Sequence, residues 1–261
     1  LSNLGPILEV EDLRHAFDGV FALQGISFNV RRGELFAIIG PNGAGKTTLF
    51  NIVTGVIPLQ HGVIKFQGLD ISKKSAHYIA SLGIARTFQH PHLFPRWTVL
   101  ENVMVGGLQK CRSGFWQCIL RLPDARSEEL LLRRRALKAL DVLGISDLAD
   151  SLAEELTAGQ QRLMEIARAL VTEPKLLLLD EPAAGLSGDE TYDLAVRLRE
   201  LISSGLSVLL IEHDTSLVFS SADRVMVLDS GRQLVVGSPA EVSDHPEVIA
   251  AYLGQGVRSD A

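Results

Sequence analysis

The chain has 261 residues, 46% of them hydrophobic, and its 25 basic and 31 acidic side chains give a net charge of −6. It has apolar material for a sizeable core and no broad cationic field of the kind that holds DNA or RNA. Its 2 cysteines, Cys111 and Cys118, fit neither a disulfide framework nor a metal site and suit a reducing compartment. No apolar run approaches the roughly 18 residues that cross a bilayer, and the N-terminus lacks the basic and apolar regions of a signal peptide. The expectation is a soluble, cytosolic chain that can still dock onto a membrane protein.

Short β-like segments open the chain: Ile7 to Val10, Ile26 to Val30, Leu35 to Ile39 and Val63 to Phe66, separated by turns such as Asp18-Gly19 and Arg32-Gly33. After the third comes Gly40-Pro41-Asn42-Gly43-Ala44-Gly45-Lys46-Thr47, a phosphate-binding P-loop with every fixed position filled. Leu35 to Ile39 lead into it as a buried strand. Thr48, Leu49, Phe50, Ile52 and Val53 leave it with helical spacing. The glycines let the backbone curl so that N–H groups face phosphate oxygens, and the helix turns its positive end the same way. Lys46 is placed to reach the β- and γ-phosphates, and Thr47 offers a hydroxyl to the accompanying Mg²⁺. The chain therefore binds a nucleoside triphosphate.

From Thr98 to about Thr172 the pattern is mainly helical. Strands return at Lys175 to Leu179, Ser207 to Ile211 and Arg224 to Leu228, alternating with helices. Apolar strands followed by helices imply a parallel sheet covered on both faces, with the ligand at the carboxyl ends of its strands. No internal repeat, low-complexity tract or long linker separates independent domains.

Two further constellations carry chemistry. The strand from Lys175 ends in Asp180-Glu181. Beside a P-loop, Asp180 takes the role of Mg²⁺ ligand and Glu181 that of general base for the water attacking the γ-phosphate; the plainer reading is a strand-end turn with solvated acids. Leu156-Thr157-Ala158-Gly159-Gln160 precedes Leu163, Ile166, Ala167 and Leu170, one face of a helix. Its start is either a second anion cradle or an ordinary N-cap by Thr157.

Together these motifs resemble the nucleotide-binding subunit of ATP-binding cassette (ABC) transporters over nearly the whole chain. The resemblance implies an α/β fold: a P-loop NTPase (RecA-like) core with a parallel sheet, an N-terminal antiparallel β subdomain and an ABC-type α-helical subdomain. Residues 1–88 and 173–238 would form the catalytic core with the β subdomain, 89–172 the helical subdomain, and 239–261 a C-terminal helical tail. Leu156 to Gln160 looks like the family signature LSGGQ, with Thr157 for Ser and Ala158 for the first Gly, so that Thr157, Ala158, Gly159 and Gln160 would contact nucleotide. Thr48 would join the P-loop in doing so. Gln89, in Arg86-Thr87-Phe88-Gln89, matches the Q-loop residue that contacts Mg²⁺ and the attacking water. His213, in Ile211-Glu212-His213-Asp214, matches the switch histidine at the γ-phosphate. Phe17 takes the place of the aromatic that stacks on adenine, or is a packed strand aromatic. Ser187 stands where most members end the D-loop in aspartate.

The resemblance further implies ATP and Mg²⁺ as ligands. It also implies a second ABC ATPase subunit, identical or homologous, stacked head to tail. Two transmembrane permease subunits, and indirectly a periplasmic solute-binding protein, would complete the assembly at the cytoplasmic face of a bacterial inner membrane. Ala85 to Gln89, the segment around Gly106 to Arg126, Asp180 to Leu186, Ile211 to Asp214 and the tail Pro246 to Gly254 look like ATPase subunits of branched-chain amino-acid importers. Relatives importing urea, amides or aromatic acids share them, and lipopolysaccharide-export ATPases share several. A soluble ABC ATPase acting on ribosomes or nucleic acid is a rival reading, and a nucleotide-sensing module without useful hydrolysis, suggested by Ala158 and Ser187, is another. Between Leu93 and Asp150, Phe94, Pro95, Trp97, Phe115 and Trp116 suggest a docking surface, and Glu129 with Arg133 a helical i,i+4 pair.

Overall fold

The computed structural model describes residues 5–87, 93–108, 123–213 and 215–248. By contacts the chain divides into two units: residues 1–86, 175–184 and 191–261, and residues 87–174 and 185–190.

The first unit holds two sheets. β1 (Leu8–Phe17) and β2 (Val20–Val30) form an antiparallel hairpin, extended by β4 (His61–Phe66) and β5 (Leu69–Asp70) in the order β2-β1-β4-β5. The hairpin turn is Asp18-Gly19, both with positive φ (47° and 84°), the backbone twist that a two-residue hairpin requires. Both strands run well beyond the expected segments, which mark only one end of each. The remainder is irregular in register and partly exposed, so it lacks a clean period of two.

The second sheet has the order β10-β9-β3-β8-β7-β6, with β3 (Leu35–Ile39), β6 (Ile84–Arg86), β7 (Leu176–Asp180), β8 (Ser207–Ile211) and β9 (Arg224–Asp229) parallel and β10 (Arg232–Gly237) antiparallel to β9. Every residue of β3, β7 and β8 is buried, as expected of strands covered on both faces. Phe36, Ile38, Leu178, Leu209 and Met226 share one core with Leu49, Phe50 and Val53 of helix α1 (Lys46–Val53) and with residues of the antiparallel sheet. Phe28 stacks on Phe36 with ring centroids 5.4 Å apart. β10 is not among the strands expected from the sequence: its apolar run is only Leu234 to Val236, and none of its residues is fully buried.

The second unit is helical. It contains α3 (Val99–Val105), α4 (Pro123–Val142) and α5 (Ala158–Leu170), α2 (Ala76–Ser81) belonging to the first unit. Thr98 caps α3 in a capping box with Glu101. Of the face expected from Leu163, Ile166, Ala167 and Leu170, only Ile166 and Ala167 are buried and the two leucines are half-buried; the buried side is turned toward Met164, Arg162 and Glu165, the last two paired at 2.8 Å. Phe94 and Trp97 are exposed and stack on each other, centroids 4.5 Å apart. Arg135 pairs with Glu173 at 3.0 Å, whereas Glu129 and Arg133 both lie on the exposed side of α4. α6 (Gly188–Ser203), α7 (Thr215–Ser221) and α8 (Pro239–Ser243) complete the described α-helices. No helix among the described residues is long and apolar enough to cross a membrane.

Candidate functional site

Parallel register puts the chemistry on one edge. Ile38 of β3 pairs with Ile211 of β8, and Asp180 of β7 pairs with the same Ile211. Three strands therefore end level, and their continuations converge: the P-loop after β3, Glu181 after β7, and Glu212-His213 after β8. The Glu181 N–H bonds to the Ile211 carbonyl (2.9 Å) and that of Glu212 to the Ile38 carbonyl (3.2 Å), fixing the level of all three.

The P-loop conformation demands its glycines. Gly45, the residue before α1, has φ +102°, and a Cβ there would lie 2.6 Å from the Ala22 carbonyl oxygen. At Gly40 a Cβ would run into the Leu228 carbonyl. No side chain caps the N-terminus of α1, so its leading N–H groups keep their positive end turned to the loop. Asn42, Gly43 and Thr47 are exposed, Pro41, Gly45 and Thr48 half-buried, and Ala44 buried. Lys46 is 6% exposed, and its Nζ donates to the carbonyls of Gly40 (2.6 Å) and Pro41 (3.1 Å). Burial pushes the Lys46 ammonium below the usual lysine value, while the fields of Glu181, Asp180 and Glu212 push it back up. The charges of three carboxylates thus act on the P-loop lysine.

Asp180 is buried and accepts from Arg86 at 2.8 Å. Glu181 has φ +47°, the left-handed region that costs a residue with a Cβ. His213 is more than half exposed, its Nδ1 lying 4.0 Å from Glu181 Oε2 and 3.8 Å from Glu212 Oε2. Glu212, fully buried, accepts from the backbone N–H of Ala183 (2.7 Å) and of His213 (3.0 Å). The sequence motifs do not single out Glu212 or Arg86. An acid directly after an apolar strand is the signal that finds Glu212, the same one that marks Asp180; Arg86 shows only once β6 is paired with β7.

Phe17 ends β1 at the hairpin, is 47% exposed, and meets His15 edge to face at 4.6 Å. The following strand carries Ala22 against Gly45, so the hairpin is tied to the P-loop. Gly231 strengthens the tie, its N–H donating to Ala44 (3.0 Å) and its carbonyl accepting from Gln24 (2.8 Å). Gln89 lies outside the described residues, as do Phe115, Trp116, Asp214, both cysteines and the tail from residue 249.

In the other unit, Thr157 is the N-cap of α5. Its hydroxyl accepts from the Gln160 N–H (3.3 Å), and the Gln160 side-chain oxygen accepts from the Thr157 N–H (3.0 Å). Ala158 is the first helical residue and exposed, and it is absent from the positive-φ positions, so its methyl is accommodated without strain. A Cβ on Gly159 would lie 2.5 Å from Glu190 Oε1. Glu190 itself is held by Ser187, accepting from its N–H (2.9 Å) and hydroxyl (3.0 Å). These bonds, with a smaller contribution from the Gly159 N–H, keep its carboxyl below the usual carboxylate value. Ser187 in turn accepts from the Glu190 N–H at 3.3 Å, so serine serves here as a helix cap, as aspartate would.

Comparison with known proteins gives the same picture. The family "ABC transporter" matches residues 23–184, and "Branched-chain amino acid ATP-binding cassette transporter" matches residues 232–258. The high-affinity branched-chain amino acid transport ATP-binding protein BraF of Pseudomonas aeruginosa is 40% identical over 96% of this chain and 98% of its own length. LivG of Escherichia coli, of the same description, is 39% identical over the same shares. Among solved structures, an ATP-binding cassette of an ABC transporter in its ADP conformation superposes with a TM-score of 0.84 at 34% identity, covering 96% of this chain and 99% of that one. A nucleotide-free cassette from an ABC transporter gives 0.83 at 34% identity, over 95% and 99%. A family match over more than half of the sequence, and relatives at such identity over nearly all of it, place the chain in the ABC transporter family as an ATPase cassette that binds and hydrolyses ATP.

Proposed function

We propose that the chain is the ATP-hydrolysing subunit of an importer for branched-chain amino acids or related small polar solutes. The match of residues 232–258 to the branched-chain cassette family carries this reading; it lies outside the general ABC match and favours import over lipopolysaccharide export. The working assembly is a head-to-tail pair of cassettes beneath two permease subunits at the cytoplasmic face of the membrane, fed by a periplasmic binding protein. BraF and LivG, whose descriptions name high-affinity branched-chain amino acid transport, support the choice of solute.

In this reading Phe17 stacks on the base. Residues Gly40 to Thr48 cradle the phosphates, and Lys46 exchanges the carbonyls of Gly40 and Pro41 for phosphate oxygens. Magnesium asks for hard oxygen ligands and takes few from protein; the Thr47 hydroxyl and the Asp180 carboxylate are such donors, and the surplus of acids around Lys46 suits a cation. Bound there with the nucleotide, the ion would neutralise charge on the transferred phosphoryl group. Glu181 accepts the proton of the attacking water. His213, within 4.0 Å of Glu181, bonds the γ-phosphate, and Gln89 lines the same water. Thr157 to Gln160 offer the start of α5 to the nucleotide of the partner cassette, and loss of the γ-phosphate then releases the pair.

The test is reconstitution. With cognate permeases in proteoliposomes, leucine-loaded binding protein should stimulate ATP hydrolysis severalfold above the unloaded protein. Equal rates with leucine, isoleucine, valine and no ligand would remove the proposed solute class.

A further inference from the structure

We propose that Arg86 is a positioning residue of the hydrolytic site, setting the Asp180 carboxylate against α1 so that Asp180 and Thr47 present oxygens to one magnesium ion. The proposal rests on the reading of those two residues as cation ligands.

Arg86 is the last residue of β6. It pairs in register with Leu178 of β7, and strand alternation puts Asp180 on the same face as Leu178. Its Nη2 donates to Asp180 Oδ2 at 2.8 Å, with both side chains under 10% exposed. Its Nη1 donates to Asn51 Oδ1 (2.7 Å) and to Thr54 Oγ1 (3.3 Å), and the guanidinium lies 5.4 Å from the Phe50 ring centre. One planar group thus joins the end of β6, the end of β7 and the P-loop helix.

Two features make this more than packing. A buried ion pair is favourable only when further hydrogen bonds accompany the charge contact, and here the second arm of the fork is engaged by α1. A lysine ammonium, a single point charge on a flexible stem, cannot span the same three acceptors. Asn51 stands four residues after Thr47, hence one turn on along the same helix face. Gripping Asn51 fixes the rotation of α1, and with it the direction of the Thr47 hydroxyl relative to Asp180. Partners behind a metal ligand typically contribute about 10–100-fold to metal affinity.

The experiment measures Mn²⁺, as a stand-in for Mg²⁺, by electron paramagnetic resonance on the full chain with ATP, before turnover. ATP affinity in EDTA is measured alongside. Arg86→Met is expected to weaken Mn²⁺ binding about tenfold or more and to leave metal-free ATP affinity within about twofold. Arg86→Lys, which keeps the charge and protects the fold, should shift Mn²⁺ binding in the same direction, as should Asn51→Ala. Asp180→Asn should weaken Mn²⁺ binding too, and combining it with Arg86→Met should add little, because both act through one carboxylate. Normal Mn²⁺ binding in the Arg86 variants while Asp180→Asn loses it overturns the role of Arg86. So does a fall in metal-free ATP affinity as large as the fall in Mn²⁺ binding, which marks a merely structural residue. Normal Mn²⁺ binding in Asp180→Asn overturns the underlying reading of Asp180 instead.

Discussion

Glu181 carries its side chain on a backbone with φ +47°, which costs a residue with a Cβ about 1–2 kcal/mol. The N–H bond to Ile211 and the Ala184 N–H on its own carbonyl hold it there. Asp180, Glu181 and His213 stand out in the sequence because each ends or succeeds a short apolar strand, where a charged or titratable group interrupts the pattern. Arg86 does not, because its partner Asp180 lies 94 residues away and only strand register brings the two together; Glu212 carries the same strand-end signal as Asp180, but its bond to Ala183, 29 residues away, leaves no local trace. His15 is another buried polar group that the sequence does not flag. It is 4% exposed, its Nδ1 has no hydrogen-bond partner among the described residues, and burial lowers its pKa below the ordinary 6.5. The unfolded chain therefore binds this proton more readily than the folded one, so stability is fully present above about pH 6.5 and falls as the pH drops below it. Melting temperatures at pH 7.5 and 5.5 check this: His15→Leu should show a smaller acid-induced drop than the unmodified chain. An identical drop in both would assign the acid sensitivity elsewhere.

At the level of elements, helix starts are legible where caps are encoded locally. Thr98 with Glu101, Thr157 with Gln160 and Ser238 with Glu241 each form a capping box, and the spacing of three is visible in the sequence. The parallel strands are legible for a different reason, since burial on both faces leaves a continuous apolar run. β6 and β10 are not: one is three residues long, and the other has an apolar run of only three residues, none of them fully buried. The local fold accommodates the departures at Ala158 and Ser187, one methyl lying exposed and one hydroxyl capping a helix. Gly159 is the stricter position, because a methyl there would displace Glu190 from its bonds to Ser187. Gly159→Ala should cost about 1 kcal/mol, the usual worth of a cap. Urea unfolding measures it. In a Glu190→Ala background most of the further cost should vanish, whereas an undiminished cost would show that Glu190 is not what confines Gly159.

Over the whole molecule, the parallel sheet converts three separate motifs into one site. Residues 40, 181 and 213 meet because β3, β7 and β8 end level, an arrangement that the alternation of strands and helices implies without specifying strand order. The order β9-β3-β8-β7-β6 is a matter of long-range packing and leaves no local trace. In the proposed function Glu181, beside the P-loop lysine, is the general base of hydrolysis. The direct check is phosphate release by the chain and by Glu181→Gln, with ATP binding measured on both. ATP affinity should stay within about twofold, and hydrolysis should fall by about 10²–10⁴, the range of a lost general base. Hydrolysis at the unmodified rate in Glu181→Gln would contradict this assignment.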